Sequence, residues 1–343
     1  MKKKFNSKKI ITIVVADFLI FAISLLTFAY FDHVRIWGDD TPVEDILPPS
    51  SLENDFSKEE LDTSKEEVSE DSSDVSEDTS EDVPSVDNYF TNGEVISTAT
   101  SYKSQYVNIE IKEIYFENKL YIVQDIRIKH IESLAVGFAK GLSPLSGEKT
   151  TIYQMVEHYR NNGYNIIAAI NGDYCGYNSK GVTIRNGKLY GNGVAQFDVC
   201  VIYKDGTMKT MPAKDFDTED ELSKGAWHVW DFGPTLLDNN GDAYTDFSHR
   251  RDISGTNPRT AIGYYEPGHY CFVVAGGRGA ESYGVKLSDL AAFMESIECK
   301  AAYNLDGGKS SIMVYGEEIL NAKYQDTTRR NTDMVFIQDF PAN

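Results

Sequence analysis

The sequence predicts an α+β fold: a mixed β-sheet domain with a few helices, preceded by a single transmembrane helix and a disordered linker. Three observations predict it. An apolar run follows an N-terminal cluster of lysines, a Ser/Glu/Asp-rich segment follows that run, and strand-like and helix-like patterns alternate through the rest of the 343 residues. We therefore divide the chain into a basic cytoplasmic tail at 1–9, a transmembrane signal-anchor at 10–31, an acidic linker at 32–87 and a globular domain at 88–343.

The apolar run at 10–31 is long enough to cross a bilayer, because a helix rises about 1.5 Å per residue and the hydrocarbon core is about 30 Å thick. Lysines precede it at positions 2, 3, 4, 8 and 9. Such a cluster keeps its own side in the cytoplasm, so we predict a single-pass protein of the cell membrane with an extracytoplasmic C-terminal domain. A cleavable signal peptide is the alternative, although its apolar region would be shorter.

The linker is strongly acidic and poor in apolar residues. Residues 39–87 carry 19 acidic and two basic side chains, which accounts for most of the formal net charge of −20. This composition cannot bury enough apolar surface to offset the entropy of ordering, so we expect a disordered, extended spacer. An acidic chain also lacks the basic face that meets phosphate backbones, and we predict no nucleic-acid partner.

The domain contains several predicted β-hairpins. The segments at 106–116 and 120–128 alternate apolar and polar side chains on either side of a short polar turn. Further pairs of strand-like segments are separated by typical turn residues, at Asn186-Gly187, Asp205-Gly206 and Glu266-Pro267-Gly268.

Two helices are predicted in the domain. The first spans 152–162 and is stopped by Gly163, and the second spans 289–298 with Ser288 as its N-cap. Because each helix leads into a short apolar strand, the pattern indicates helix-to-strand units and a mixed sheet. These strands are NIIAAIN at 165–171 and AAYNLD at 301–306.

The cysteines and histidines predict no zinc site. The four cysteines are Cys175, Cys200, Cys271 and Cys299, and they allow three disulfide pairings. The alternative is that they are free, since Cys200 and Cys271 lie in apolar runs where a thiol behaves as a small buried hydrophobe. The six histidines show no metal-ligand spacing.

Polar residues and glycines follow or precede several of the predicted strands. Carboxylates, arginines and glycine-rich turns delivered from several strand ends suit a site for an anionic, hydroxylated ligand. Each motif alone is also ordinary turn chemistry, and it is their number in one domain that favours a site. They are Asn171-Gly172-Asp173, Asn257-Pro258-Arg259-Thr260, Gly276-Gly277-Arg278 and 304–311, NLDGGKSS.

These motifs belong to an ordered series: NGDYC (171–175), FGPTLL (232–237), NPRTAIG (257–263), VVAGGR (273–278), GVKLSDLAAFM (284–294) and NLDGGKSSIMV (304–314). In this order they resemble the phosphodiester glycosidase family, over roughly residues 95–340. The resemblance implies an α+β fold with a mixed sheet. It also implies hydrolysis of a sugar held through its anomeric carbon in a phosphodiester. Lys309 stands where the family usually has a third glycine, and Cys175 where an aromatic residue is commoner.

The chemistry of such a reaction assigns roles to the candidates. Asp173 and Asp306 are the predicted catalytic carboxylates, acting as base, nucleophile or charge stabiliser. The predicted substrate- and phosphate-binding residues are Asn171, Arg259, Arg278, Asn304, Gly307, Gly308, Lys309, Ser310 and Ser311. No cofactor is required. Ca²⁺ or Mg²⁺ bound at these oxygens is an alternative, although the sequence contains no EF-hand-like loop.

The location and the resemblance together predict the substrate class. We expect a phosphoglycan or another sugar-1-phosphodiester of the cell envelope or of extracellular glycans. The alternative function is a non-catalytic glycan-binding or envelope scaffold protein, since the anchor and the acidic spacer suit either role.

Overall fold

The computed structural model describes residues 56, 89–175, 181–276 and 284–341. The predicted tail, signal-anchor and linker lie outside these residues, apart from Phe56. Within the described ranges, no helix combines the length and the apolar character needed to cross a membrane.

Strands dominate the described residues. In chain order they are β1 (Ile96–Ser97), β2 (Ser101–Lys103), β3 (Val107–Phe116), β4 (Lys119–Ile128), β5 (Leu134–Phe138), β6 (Ile166–Asn171), β7 (Val182–Arg185), β8 (Lys188–Asn192), β9 (Val199–Tyr203), β10 (Met208–Met211), β11 (Ala226–Asp231), β12 (Thr235–Leu237), β13 (Arg259–Glu266), β14 (His269–Ala275), β15 (Ala301–Asn304), β16 (Met313–Tyr315), β17 (Glu318–Ile319) and β18 (Asp333–Gln338). The α-helices are α1 (Ile152–Asn161), α2 (Thr218–Ser223) and α3 (Leu287–Ser296).

The strands form three sheets. An eight-stranded sheet has the order β1-β2-β3-β4-β14-β13-β15-β12, and two five-stranded sheets have the orders β10-β9-β11-β7-β8 and β17-β16-β6-β18-β5. The predicted hairpins are confirmed, with β3 pairing β4, β7 pairing β8, β9 pairing β10 and β13 pairing β14.

The prediction of a mixed sheet is wrong, because every strand pair among the described residues is antiparallel. The helix-to-strand units do exist, but each crossover skips one position in its sheet. Strand β18 lies between β5 and β6, and β13 lies between β14 and β15. The two strands that each helix connects run parallel to each other, but they are not neighbours in the sheet. The strand inserted between them pairs antiparallel with both, so no parallel pair forms.

Both predicted helices are present with small changes at their ends. Helix α1 begins at a Thr151 N-cap, and the chain leaves it through Gly163, which has a positive φ of 95°. Helix α3 begins earlier than predicted, so Ser288 lies inside it and Lys286 is the N-cap. The Asp289 carboxylate accepts a hydrogen bond from the Lys286 backbone N–H at 3.0 Å.

The helices and two of the sheets stack as layers. Alternate side chains of β14 point to opposite faces, Phe272 into the core shared with the sheet of β6, and Val273 toward Phe293 of α3. Helix α1 covers the outer face of the sheet of β6 with Met155 and other apolar residues. The eight-stranded sheet and the sheet of β6 therefore lie face to face between two helices. The strand ends that carry polar residues come together at the contact between these two sheets.

Candidate functional site

The site lies where the end of β6 meets the start of β13 and the end of β15. Strands β13 and β15 pair with Ala261 opposite Asn304. The two sheets are tied together at this point, because the Thr260 hydroxyl donates to Asn171 Oδ1 at 2.8 Å. The Asp306 backbone N–H donates to the Gly172 carbonyl at 3.2 Å. Three of the four predicted motifs are therefore neighbours in space.

The side chain of Asn171 connects these segments through hydrogen bonds. Its amide nitrogen donates to the carbonyls of Gly172 and Asp306, at 3.0 and 2.7 Å. Its Oδ1 also accepts from the Ile312 backbone N–H at 3.2 Å. The side chain is fully buried and positions Asp306, and its predicted contact with substrate stays a prediction.

Asp173 is buried and paired with an arginine that the sequence motifs did not include. Arg185 Nη2 donates to Asp173 Oδ1 at 2.7 Å, and the Cys175 backbone N–H donates to the same oxygen at 3.1 Å. Arg185 ends strand β7, its guanidinium also donates to the Val229 carbonyl, and its side chain is fully buried. A buried guanidinium supplies the counter-charge that a buried carboxylate needs.

Asp333, at the start of β18, completes this buried cluster. Its Oδ2 lies 3.7 Å from Arg185 Nη2 and has no hydrogen-bond partner among the described residues. Burial and the neighbouring Asp173 carboxylate raise the pKa of Asp333 to about 7. A Cβ at residue 172 would lie 2.0 Å from Asp333 Oδ2, so the glycine of the NGD motif leaves the space that this carboxylate occupies.

Asp306 follows β15 and lies beside Asp173. Burial raises the pKa of Asp306, and the Asp173 carboxylate adds to that effect. Hydrogen bonds from the Ser310 side chain and the Gly307 backbone N–H oppose it, the latter at 2.8 Å. Its side chain is partly exposed, so Asp306 can exchange a proton with a water molecule in the site.

The glycine turn after Asp306 is tied to the chain itself. The Gly308 backbone N–H donates to the Pro258 carbonyl at 2.8 Å, and a Cβ at Gly307 would lie 2.9 Å from that carbonyl oxygen. The Gly307 N–H donates to Asp306 Oδ1, so both N–H groups have a partner within the protein. That Gly307 and Gly308 bind the phosphate stays a prediction. The glycines allow the turn to pack against Pro258.

Lys309, in the same turn, is exposed. Its Nζ lies 3.9 Å from Asp326 Oδ2, and 55% of its side chain is accessible. Such a solvated pair contributes little to stability and leaves the cation able to meet a ligand.

Two other predicted binding residues carry buried polar atoms without partners among the described residues. Asn304 Nδ2 donates to the Gly233 carbonyl at 2.9 Å, but Asn304 Oδ1 has no partner. Ser311 Oγ is likewise buried without a partner. Since an unmade hydrogen bond at a buried polar atom is costly, atoms of this kind are often satisfied by a ligand or water. Ser310 is also buried and contacts Asp306.

Arg259 is located at the site, but its guanidinium is bonded to the backbone. Its Nε donates to the Val285 carbonyl at 3.2 Å, and its Nη2 donates to the Ile253 carbonyl at 2.7 Å and to the Gly255 carbonyl. Burial and the nearby Arg250 lower the pKa of Arg259 to about 10. These bonds tie Arg259 to the surrounding loops, and its predicted anion contact stays a prediction. Arg278 lies outside the described residues.

Other cations lie on the Asp306 side of the site. The charge of Arg329 acts on Asp306, and the Arg329 guanidinium lies 5.8 Å from the ring centre of Tyr174. Lys149 approaches the same ring, with its Nζ 2.9 Å from the Tyr174 hydroxyl. Arg329 is exposed, whereas Lys149 and Tyr174 are half-buried. The group was not apparent in the sequence, because residues 149, 174 and 329 come together only through the fold.

A cavity of about 180 Å³ opens beside Asp173. Its wall includes the Asp231 carboxylate, whose pKa is raised by burial, and the Arg250 side chain, which pairs with Asp252 at 3.0 Å. Phe197 and Phe232 supply apolar surface to the same wall. Carboxylates, an arginine and aromatic rings around a small cavity suit a single polar group such as part of a sugar.

Asp173, Cys175 and Asp333 place their ligand atoms within 4.8 Å of one another. Ca²⁺ and Mg²⁺ take six or more oxygen ligands, whereas this cluster offers one thiol and two carboxylates, one of them paired with Arg185. The donor set does not fit either ion, and we assign none to it.

Sequence reasoning missed Arg185, Asp333 and Arg329. A charged residue that ends or begins an otherwise apolar strand was the available signal for the first two, in VTIR and in DMVFI. Neither residue stands out in the sequence, because a lone charge next to a turn is common.

Comparisons with known proteins identify the family of the chain and match its fold. The model of the family described as phosphodiester glycosidase matches residues 164–338. An uncharacterized SPbeta prophage-derived protein of Bacillus subtilis, YomE, is 27% identical over 236 residues, which cover 66% of this chain and 35% of that protein. The chain therefore spans about a third of that relative's length.

Two solved structures share the fold. The catalytic domain of zebrafish N-acetylglucosamine-1-phosphodiester alpha-N-acetylglucosaminidase, auto-inhibited by its pro-peptide, superposes with a TM-score of 0.52 at 20% identity, covering 68% of this chain and 83% of that one. A hypothetical protein from Synechocystis gives 0.51 at 12% identity, covering 68% of this chain and 62% of that one. With the family model matching over half of its length, the chain belongs to the phosphodiester glycosidase family.

Proposed function

We propose that the chain is a hydrolase that cleaves the bond between C1 of a sugar and the oxygen of a phosphodiester. The observation that carries this proposal is the meeting of Asp173 and Asp306 at one point between two sheets, beside a cavity and a group of cations. The family and the name of the zebrafish enzyme, which describes a sugar-1-phosphodiester as its substrate, support the same reaction.

The leaving group of this reaction needs little help. When the C1–O bond breaks, a phosphate monoester departs, and its second ionisation lies near pH 6. It leaves more readily than the alkoxide of an ordinary glycoside, so a strong general acid matters less. The site must instead stabilise positive charge that grows at C1, hold the phosphate and activate a water molecule.

Asp173 and Asp306 have different surroundings, and on that basis we assign them different tasks. Asp173 lines the cavity and has Arg185 as its counter-ion, so we assign to it the stabilisation of the charge at C1. Asp306 is partly exposed and its pKa is raised, and a base becomes more effective as its pKa approaches the working pH. We assign to Asp306 the proton of the attacking water.

The phosphate would lie on the cationic side of Asp306. The cavity side carries Asp173, Asp333 and Asp231, and its cations Arg185 and Arg250 already have acidic partners. That side is therefore the less favourable one for an anion. Lys309 and Arg329 are both exposed. Lys309 lies in the turn that follows Asp306, and the charge of Arg329 acts on the Asp306 carboxylate. The unpartnered atoms Asn304 Oδ1 and Ser311 Oγ are available for sugar hydroxyls.

The proposed location rests on the N-terminal sequence, and the proposed substrate class on that location together with the family. We propose that a signal-anchor holds the domain outside the cell membrane, where phosphoglycans of the envelope or the extracellular space are within reach. Protease added to intact cells should then remove the domain and spare the anchor. A domain that stays protected until the cells are opened would contradict this location.

The activity is tested by incubating the purified full chain, in detergent, with a panel of sugar-1-phosphodiesters and measuring the reducing sugar released. Asp306→Asn serves as the inactive control and Asp242→Asn, at an exposed turn, as the matched active one. Turnover that Asp306→Asn abolishes supports the proposal. An absence of turnover together with measurable glycan binding would favour the alternative, a glycan-binding scaffold.

A further inference from the structure

Two of the four cysteines, Cys271 and Cys299, lie in contact in the interior although they are not close in sequence. The Sγ atoms of Cys271 and Cys299 are 3.7 Å apart, and the two residues are 28 positions apart in sequence. Cys271 lies on β14, and Cys299 lies between α3 and β15. Both side chains are buried and both are free thiols in the structure.

A glycine leaves the space for this pair. Gly263 lies opposite Cys271 on the neighbouring strand β13. A Cβ at Gly263 would lie 2.6 Å from the sulfur of Cys271 and 2.7 Å from the sulfur of Cys299, closer than real Cβ atoms approach other atoms. The absence of a side chain at residue 263 therefore creates room for both sulfurs at one point between β13 and α3.

We propose that Cys271 and Cys299 form a disulfide, which links β14 to the entry of β15 behind the candidate site. The sulfurs need to approach from 3.7 Å to about 2.0 Å for the bond to form. The other two cysteines differ, because Cys175 lies beside Asp173 and Asp333, and Cys200 packs in the core among Trp230 and Tyr303.

The reaction is an exchange with an external disulfide such as oxidised glutathione or a disulfide-exchange protein. A thiolate of the pair attacks the external disulfide and releases one reduced thiol. The second cysteine then attacks the mixed disulfide and releases another. Two protein thiols are oxidised to one S–S bond, and one external disulfide is reduced to two thiols. Because the pair is buried, the exchange proceeds during folding or during local opening.

The bond would close a loop that contains α3 and the chain on either side of it. Cross-linking a loop removes conformational freedom from the unfolded chain, and longer loops gain more. We expect the oxidised protein to unfold at a temperature roughly 5–10 °C above that of the reduced protein.

The test uses the purified full chain in detergent, incubated with excess oxidised glutathione a few degrees below its Tm, so that local opening exposes buried thiols. Alkylation in denaturant, digestion without reductant and mass spectrometry identify linked peptides. The expected result is a peptide pair joined through Cys271 and Cys299, with Cys175 and Cys200 alkylated. Four alkylated thiols, glutathione adducts without a link, or a link through Cys175 or Cys200 would overturn the proposal.

Single variants give a second measurement. The Tm difference between oxidised and reduced protein should vanish in Cys299→Ala and persist in Cys200→Ala, which removes a buried thiol of the same kind. If Cys299→Ala fails to fold, the peptide map of the unaltered chain still decides. Equal Tm differences in Cys299→Ala and Cys200→Ala would contradict the assignment.

Discussion

Arg185 and Asp173 form an ion pair of 2.7 Å in which the arginine side chain is fully buried and the aspartate is 4% exposed. Asp333 lies 3.7 Å from the same guanidinium nitrogen. Strands of two different sheets thus meet in one charge cluster, because Arg185 ends β7 whereas Asp333 begins β18. Arg185 holds the acidic side of the site in place, and its removal should affect folding and catalysis together.

We expect Arg185→Met to lower the free energy of unfolding by about 3–5 kcal/mol, the usual cost of leaving buried charges without their partner. Arg127→Met is the matched control, because Arg127 pairs with the exposed Glu266 and such surface pairs contribute about 1 kcal/mol or less. Denaturant titration of both variants checks this. Equal losses in the two variants would show that the buried pair has no special weight.

Asp333 should make stability depend on pH. Its pKa is about 7 in the folded protein and near 3.8 in an unfolded chain, so the folded state holds the proton more tightly. That contribution is fully present below about pH 4 and is lost as the pH rises through about 7. The stability of the unaltered chain relative to Asp333→Asn should fall by roughly 4 kcal/mol over this range, at about 1.4 kcal/mol per pKa unit. A relative stability that stays constant from pH 4 to pH 8 would contradict it.

Local structure could be predicted from the sequence, whereas the buried cluster of Arg185, Asp173 and Asp333 could not. Turn residues such as Asn186-Gly187 fix a hairpin through interactions within a few residues, and those hairpins are confirmed. The order of strands in a sheet depends on long-range pairing, so the insertion of β18 between β5 and β6 left no local signal. The same limit applies to Arg185 and Asp333, which become partners only through that order.

The predicted site shows the same division. Asp173 and Asp306 were predicted as a pair because each follows a buried strand, and the fold brings them to one site. Asn171 and Arg259 resemble ligand-binding side chains in the sequence, and in the fold both donate hydrogen bonds to backbone carbonyls of other segments. That network depends on the fold and left no signal in the sequence.

Lys309 should contribute to substrate binding. If it contacts the phosphate, Lys309→Gly will raise KM several-fold with little change in kcat, because a uniform binding contact is lost. Asp326→Asn separates this role from the ion pair, since it removes the anion 3.9 Å from Lys309 Nζ and frees the cation. Steady-state kinetics at low salt should therefore show KM rising in Lys309→Gly and falling in Asp326→Asn. Unchanged KM in both variants would leave Lys309 as a solvated turn residue.

Asp306→Asn should reduce turnover by orders of magnitude while the free energy of unfolding stays within about 1–2 kcal/mol of that of the unaltered chain. The amide keeps the shape of the side chain and an acceptor for the Gly307 N–H, but it cannot take a proton from water. The pH profile of kcat adds a check. Since the pKa of Asp306 is raised, activity should fall on the acid side at a pH above that of an ordinary aspartate. Near-normal turnover in both Asp306→Asn and Asp173→Asn would exclude the carboxylate mechanism.

The bond that breaks is the central claim, and hydrolysis in water enriched in heavy oxygen tests it most directly. Attack at C1 places the heavy atom in the released sugar, whereas attack at phosphorus places it in the released phosphate. We predict that mass spectrometry finds the label in the C1 hydroxyl of the sugar and ordinary oxygen in the phosphomonoester, when products are analysed before the sugar exchanges oxygen with solvent. Label in the phosphomonoester would show that the protein attacks phosphorus and would contradict the account given for Asp173 and Asp306.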